Sequence, residues 1–237
     1  MQNIRDYILE KLKLSVNTNT KQQTIKPKNR DELKQIISER LKKRDYVDKK
    51  IVPVDLNDID VSGIKDFSDV FKGYDLTDVD MSGWNTHNAN SFDHMFMDAT
   101  GMYNLDISNW DVSNVHIMHS TFANTDFNGN ISEWDVSNVL YFNSMFKSNP
   151  YFDGDISKWD VSNASEMAGM FWNATVFTGK GLDNWNTGNV KTMNIMFKNC
   201  SNLDVDLSSW VTRKVNNHED MFEGTNIPKE KQPIFKN

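Results

Sequence analysis

Hydrophobic positions recur along this chain at a period near 25 residues, far longer than the 2 or 3.6 of a single strand or helix. Tryptophan marks the period at Trp84, Trp110, Trp134, Trp159, Trp185 and Trp210. Twelve residues after each Trp stands a Phe: Phe96, Phe122, Phe146, Phe171, Phe197 and Phe222. That interval is constant, whereas the interval from each Phe to the next Trp varies between 12 and 14. A rigid segment therefore alternates with an elastic connector. Insertions are tolerated in loops and not in packed elements, so the connectors should share one edge, and residues near Asn149–Tyr151 should accept an insertion.

Other columns follow the same count. Three before Trp is aliphatic or Met: Met81, Ile107, Ile131, Ile156, Leu182 and Leu207. Five after is Ala or Val. Eight after is Met or Phe except at His218, and eleven after is Met except at Thr121. Polar residues separate these positions, so the recurring ones should face inward. An earlier unit without Trp occupies 55–71, with Ile59 in the Trp position and Phe71 in the Phe position, which makes seven units. Two polar columns accompany them. Asp or Asn follows most of the Trp residues, and Asn stands four after five of them, at Asn88, Asn114, Asn138, Asn163 and Asn189. Short carboxylates and carboxamides bond nearby backbone in turns. Stacked, the Asn column should form a ladder that satisfies backbone groups near the core.

No 25-residue unit can bury its own apolar face, but seven stacked units can. The expected fold is a repeat solenoid, leucine-rich-repeat-like. Each repeat should hold a short parallel β-strand at the aliphatic-Ser pair before Trp, then a short helical turn over the Met-x-x-Met-Phe run. Parallel pairing implies a rise of about 4.8 Å per unit. Ahead of the array, Asn29 is a plausible N-cap for a helix at 30–44, with Leu33, Ile36, Ile37 and Leu41 as its apolar stripe. The organisation read from the sequence is 1–14, an amphipathic helix; 15–28, a polar linker; 29–50, a helical N-terminal cap; 51–226, the seven-repeat solenoid; and 227–237, a tail. Ile4, Tyr7, Ile8 and Leu12 give the first segment one apolar face, which is either a second cap or a partner-docking peptide.

At this point the motif resembles a known family. WDVSNVLYFNSMF at 134–146 and WDVSNASEMAGMF at 159–171 are similar to the repeat of BspA-like leucine-rich-repeat surface proteins, also known through mycoplasma surface lipoproteins. The similarity covers residues 27–226. It implies a leucine-rich-repeat-like solenoid that displays a binding or adhesive surface, without catalytic residues to transfer.

Charge and candidate chemistry narrow the function. The net charge of −7 divides into +7 over residues 1–50, −16 over 51–226 and +2 over the tail. The acidic body should repel nucleic acid. No apolar run is long enough for a membrane span, and the first fifteen residues lack a signal peptide's uninterrupted apolar stretch. A cytoplasmic or virion-associated location is expected, or the cell surface if a signal has been removed. His116 and His119 have three-residue spacing, but they occupy variable positions and read as solvent-facing. The acidic connectors (Asp75, Asp78 and Asp80; Asp153 and Asp155; Asp204 and Asp206) read as turn caps rather than a calcium site. The single cysteine, Cys200, reads as a small packing residue. No cofactor, metal or catalytic set is expected. Two functions are open. One is a non-catalytic recognition module for a protein or glycan partner. The other is a structural component of a larger assembly, such as a phage or virus particle, tethered by its N-terminal segment.

Overall fold

A computed structural model describes residues 24–42, 46–47 and 50–235. Ile4, Tyr7, Ile8 and Leu12 lie outside the described residues. The regular elements come early. Helix α1 (Arg30–Lys42) is followed by strands β1 (Tyr46–Val47) and β2 (Lys50–Ile51), which pair antiparallel with Tyr46 opposite Ile51. Strand β3 (Val54–Asp55) pairs parallel with β4 (Val79–Asp80). Beyond β4 the chain is built of tight turns, with two 3₁₀ turns at Leu182–Asn184 and Lys229–Lys231.

Helix α1 begins where the sequence predicts: Asn29 Oδ1 accepts the Glu32 N–H at 2.9 Å. It buries Leu33, Ile37 and Leu41, while Ile36 is only half-buried. Its outer side is fastened by Arg40, whose two guanidinium nitrogens donate to Asp58 at 2.5 and 2.6 Å. The Arg40 contact holds the Asp58 carboxyl below its ordinary pKa and raises that of Arg40. Just before the helix, Ile25 bridges Ile59 in parallel.

The turns are laid against one another in register. Counting from each Trp, the N–H groups at +8, +10, +12 and +14 donate to carbonyls at +7, +9, +11 and +13 of the following unit. In the Trp134 unit these are Phe142 N to Glu166 O (2.9 Å), Ser144 N to Ala168 O (2.9 Å), Phe146 N to Met170 O (2.8 Å) and Ser148 N to Trp172 O (2.6 Å). Single-residue parallel bridges run from Ser91 to Ile117, Tyr141, Glu166, Thr192 and Asn217. Here the structure departs from two expectations. The bridges lie at +7, not at the aliphatic-Ser pair before Trp, where Ser108, Ser132 and Ser157 sit in turns. The Met-x-x-Met-Phe run is two successive turns and not a helix.

The backbone gives the reason. In all seven units the residues at +10 and +14 have positive φ. The first set is Asp69, His94, Ser120, Ser144, Gly169, Ile195 and Asp220, and the second is Gly73, Asp98, Asn124, Ser148, Asn173, Asn199 and Gly224. A turn with its third residue left-handed closes an i to i+3 bond, such as Met145 N to Phe142 O at 3.1 Å, and cannot propagate as a right-handed helix. Gly, Asn and Asp suit such positions.

Ile195, at φ 51, is the exception, because a β-branched residue is strained there. Ile195→Asn should raise stability by about 0.5–1 kcal/mol. Thermal denaturation checks this. A fall in melting temperature would mean that the packing of Ile195 over Gly169 outweighs the backbone strain.

Among the described residues one apolar core runs from Leu33 to Ile227. The Phe column is its axis: successive ring centroids from Phe71 through Phe96, Phe122, Phe146, Phe171 and Phe197 to Phe222 lie 5.4–5.8 Å apart with the rings nearly parallel. At the far end the tail occupies the place of another unit. Leu207 N donates to Lys231 O, Thr212 Oγ1 donates to Ile234 O, and the Phe235 ring stacks on His218 at 3.9 Å. The His218 exception thus falls at the end of the stack, where it is exposed and faces the tail. Thr121, the other exception, is fully buried and donates its hydroxyl to Phe92 O at 2.9 Å.

Candidate functional site

The Trp column is interior, with each of the six rings only 3–4% exposed. Burying an indole N–H requires an acceptor, and each finds the same one. Trp84 donates to Leu56 O, Trp110 to Met81 O, Trp134 to Ile107 O, Trp159 to Ile131 O, Trp185 to Ile156 O and Trp210 to Leu182 O, at 2.7–3.3 Å. The acceptor is always the residue three before the Trp position of the preceding unit. The aliphatic column and the Trp column are therefore two halves of one contact between units, a coupling that spacing alone does not show.

The Asn column forms the expected ladder. Asn88, Asn114, Asn138, Asn163 and Asn189 donate to Ser62 O, His87 O, Ser113 O, Ser137 O and Ser162 O at 2.7–2.9 Å. These Asn residues are exposed, so the ladder runs along the surface and not near the core. The acidic connector residues are largely engaged in turns. Asp80, Asp155 and Asp206 accept the N–H groups of Ser82, Ser157 and Ser208 two residues on, while Asp153 accepts from Thr178 and Asp204 from Lys231. These contacts depress several carboxyl pKa values. Asp80 is lowered first by the Ser82 N–H, Asp206 by the Ser208 hydroxyl, and Asp155 by Lys180. Asp60 is drawn down to about 2 by the Ser62 hydroxyl, then by Lys26.

Cys200 is fully buried beside Phe171 O, and burial pushes its thiol up to about 12. A thiol so held is a poor nucleophile.

The rungs show no such constancy of residue. At +7 the units carry Asp66, Ser91, Ile117, Tyr141, Glu166, Thr192 and Asn217, no two alike. Tyr141 is 36% exposed, and Tyr103 and Tyr151 on the connectors reach 60% and 58%. Trp172 is the one Trp outside the column. It is half-buried under Lys147 Nζ, 4.3 Å from its ring, and its indole N–H lacks a hydrogen-bond partner among the described residues. His116 and His119 do not make a pair. Instead His119 lies against Asp93 and His94 of the preceding unit, and all three ligand atoms fall within 4.8 Å of one another. Register between units, and not the three-residue spacing, supplies the neighbours of His119.

Among the described residues no helix is long and apolar enough to cross a membrane. No curated protein and no solved structure matches the chain. A family model described as "Mycoplasma protein of unknown function, DUF285" matches three overlapping segments, residues 41–152, 100–180 and 122–234, as a model of one repeated pattern does when it slides along an array. Together these matches run from residue 41 to residue 234, well over half of the sequence, and the chain belongs to the DUF285 family.

Proposed function

We propose that this chain is a repeat solenoid, leucine-rich-repeat-like and BspA-like in kind, that acts as a non-catalytic recognition module for a protein or glycan partner. One observation carries the reading: inward positions keep their chemistry from unit to unit, while the +7 rungs are held in register and change residue every time. A fixed scaffold with varied side chains on one row is how a surface acquires specificity without altering its fold. The exposed Tyr residues and Trp172 add the amphipathic rings that dominate protein and sugar contacts. The second reading, a structural component of a larger assembly held by its N-terminal segment, draws on the tail and helix α1, which among the described residues cover the two ends of the array and leave its lateral surface open to neighbours.

Affinity capture on the immobilised full chain separates the two. A structural component captures its assembly in fixed stoichiometry, and a recognition module captures a ligand in proportion to supply. On the recognition reading, the paired substitution Tyr141→Ser and Glu166→Lys removes capture with the melting temperature unchanged. A pair on the Asn ladder side, Ser113→Lys and Ser137→Lys, leaves capture intact. Capture indifferent to the rung residues overturns the proposal.

A further inference from the structure

Register between units brings together side chains that are distant in sequence, and in one place the set has the chemistry of a metal site. We infer that Asp93, His94 and His119 bind one divalent transition-metal ion of the zinc class. Both imidazoles turn Nδ1 onto the same carboxylate oxygen: His94 Nδ1 lies 2.8 Å and His119 Nδ1 3.0 Å from Asp93 Oδ1. The two rings meet edge to face with centroids 4.5 Å apart. Two imidazoles and one carboxylate form a ligand set used by zinc and by other borderline divalent ions.

The dimensions fit. Bonds of about 2.0–2.1 Å in a tetrahedron place ligand atoms about 3.3 Å apart. The two separations from Asp93 Oδ1, 2.8 and 3.0 Å, need to open by only a few tenths of an ångström, and all three ligand atoms already lie within 4.8 Å of one another. With an ion between them, each ring presents its Nδ1 lone pair and carries its proton on Nε2. The backbone holds two of the ligands in place, because His94 N donates to His119 O at 2.8 Å and, one rung back, Phe92 N donates to Ile117 O at 2.9 Å. His94 takes the left-handed position of its turn, at φ 53, which sets its ring against that of the next unit. The three side chains are 25–40% exposed. Three protein ligands at a partly exposed position leave the fourth to water or another exchangeable oxygen or nitrogen ligand.

The test uses the untagged full chain, stripped of metal and titrated with Zn(II) by calorimetry and with Co(II) by visible absorption. The parent should bind one equivalent at this site, and Co(II) should give the intense d–d bands of a four-coordinate site. His94→Asn keeps a residue that tolerates positive φ, and His119→Gln keeps a polar residue of similar length. Each should weaken binding at least about tenfold and quench the Co(II) bands, at an unchanged metal-free melting temperature. His116→Ala should bind as the parent does. Absence of binding by the parent, or parental affinity in either folded variant at the first two positions, overturns the assignment. If one of those variants fails to fold, the other decides.

Discussion

Phe146→Ala should destabilise the protein by about 3–5 kcal/mol. Phe146 is fully buried in mid-array, with ring centroids 5.6 Å from Phe122, 5.5 Å from Phe171 and 3.9 Å from Phe152. Truncation removes the transfer free energy of the ring and leaves a cavity whose walls cannot close. The spacing of the neighbouring rings is set by backbone bonds, with Phe122 N to Met145 O at 2.9 Å on one side and Phe146 N to Met170 O at 2.8 Å on the other. Collapse of the cavity would require breaking that ladder. Phe222→Ala, at the half-buried end of the same column, is the internal comparison and should cost less than half as much. Urea denaturation reads both. In a stack whose units contact chiefly their neighbours, a mid-array lesion can also divide the transition, and a lowered slope for Phe146→Ala alone would report this. A midpoint unchanged from the parent would remove the Phe column from the core.

What was legible in the sequence is what repeats with fixed chemistry. Trp, Phe, Met and the small residue at +5 occupy inward columns because any other choice would leave apolar surface or a void in every unit. Six copies turn a weak preference into a pattern. The Asn ladder was legible for the same reason, although its exposure was not. Backbone conformation was not legible. The left-handed positions are held by Gly, Asn, Asp, Ser, His and Ile, so no single residue type announces them. Without them the Met-x-x-Met-Phe run reads as a helical turn. The strand expected at Ile107-Ser108 fails on a neighbouring point, because Asp106 accepts the Ser108 N–H at 3.1 Å and closes a turn there. A Ser two residues after Asp is as much a turn signal as a strand end. The Asp93, His94 and His119 cluster was hidden differently. Its members stand at +9, +10 and +9 of adjacent units, and only the register between units makes them neighbours.

Lengthening the chain by one residue should have opposite consequences at two places. Glycine inserted after Tyr103 should cost no more than about 1 kcal/mol. Tyr103 and Asn104 form the exposed tip of the turn closed by Leu105 N to Met102 O, and connector length already varies among the units. Glycine inserted after Ala168 should abolish cooperative folding, a loss of more than about 4 kcal/mol. In that unit Met167, Gly169, Phe171 and Asn173 donate to the next unit, and the carbonyls of Glu166, Ala168, Met170 and Trp172 accept from the preceding one. One extra residue moves every later donor out of line with its acceptor and carries the buried Met170 and Phe171 off their columns. The connectors are not uniformly loose, however, and the turn at Asn149–Tyr151 is tied to the core against the tolerance expected there. Asn149 is fully buried, accepts the N–H groups of Tyr151 and Phe152, and donates to Phe127 O at 2.8 Å. An insertion there separates the carboxamide from the N–H groups it satisfies and leaves that of the buried Phe152 unpaired, so its cost should fall between the other two. Circular dichroism melts of the three insertion variants test the order. Equal destabilisation by all three would mean that the connectors are as constrained as the rungs, and the division of each unit into a rigid and an elastic part would fall.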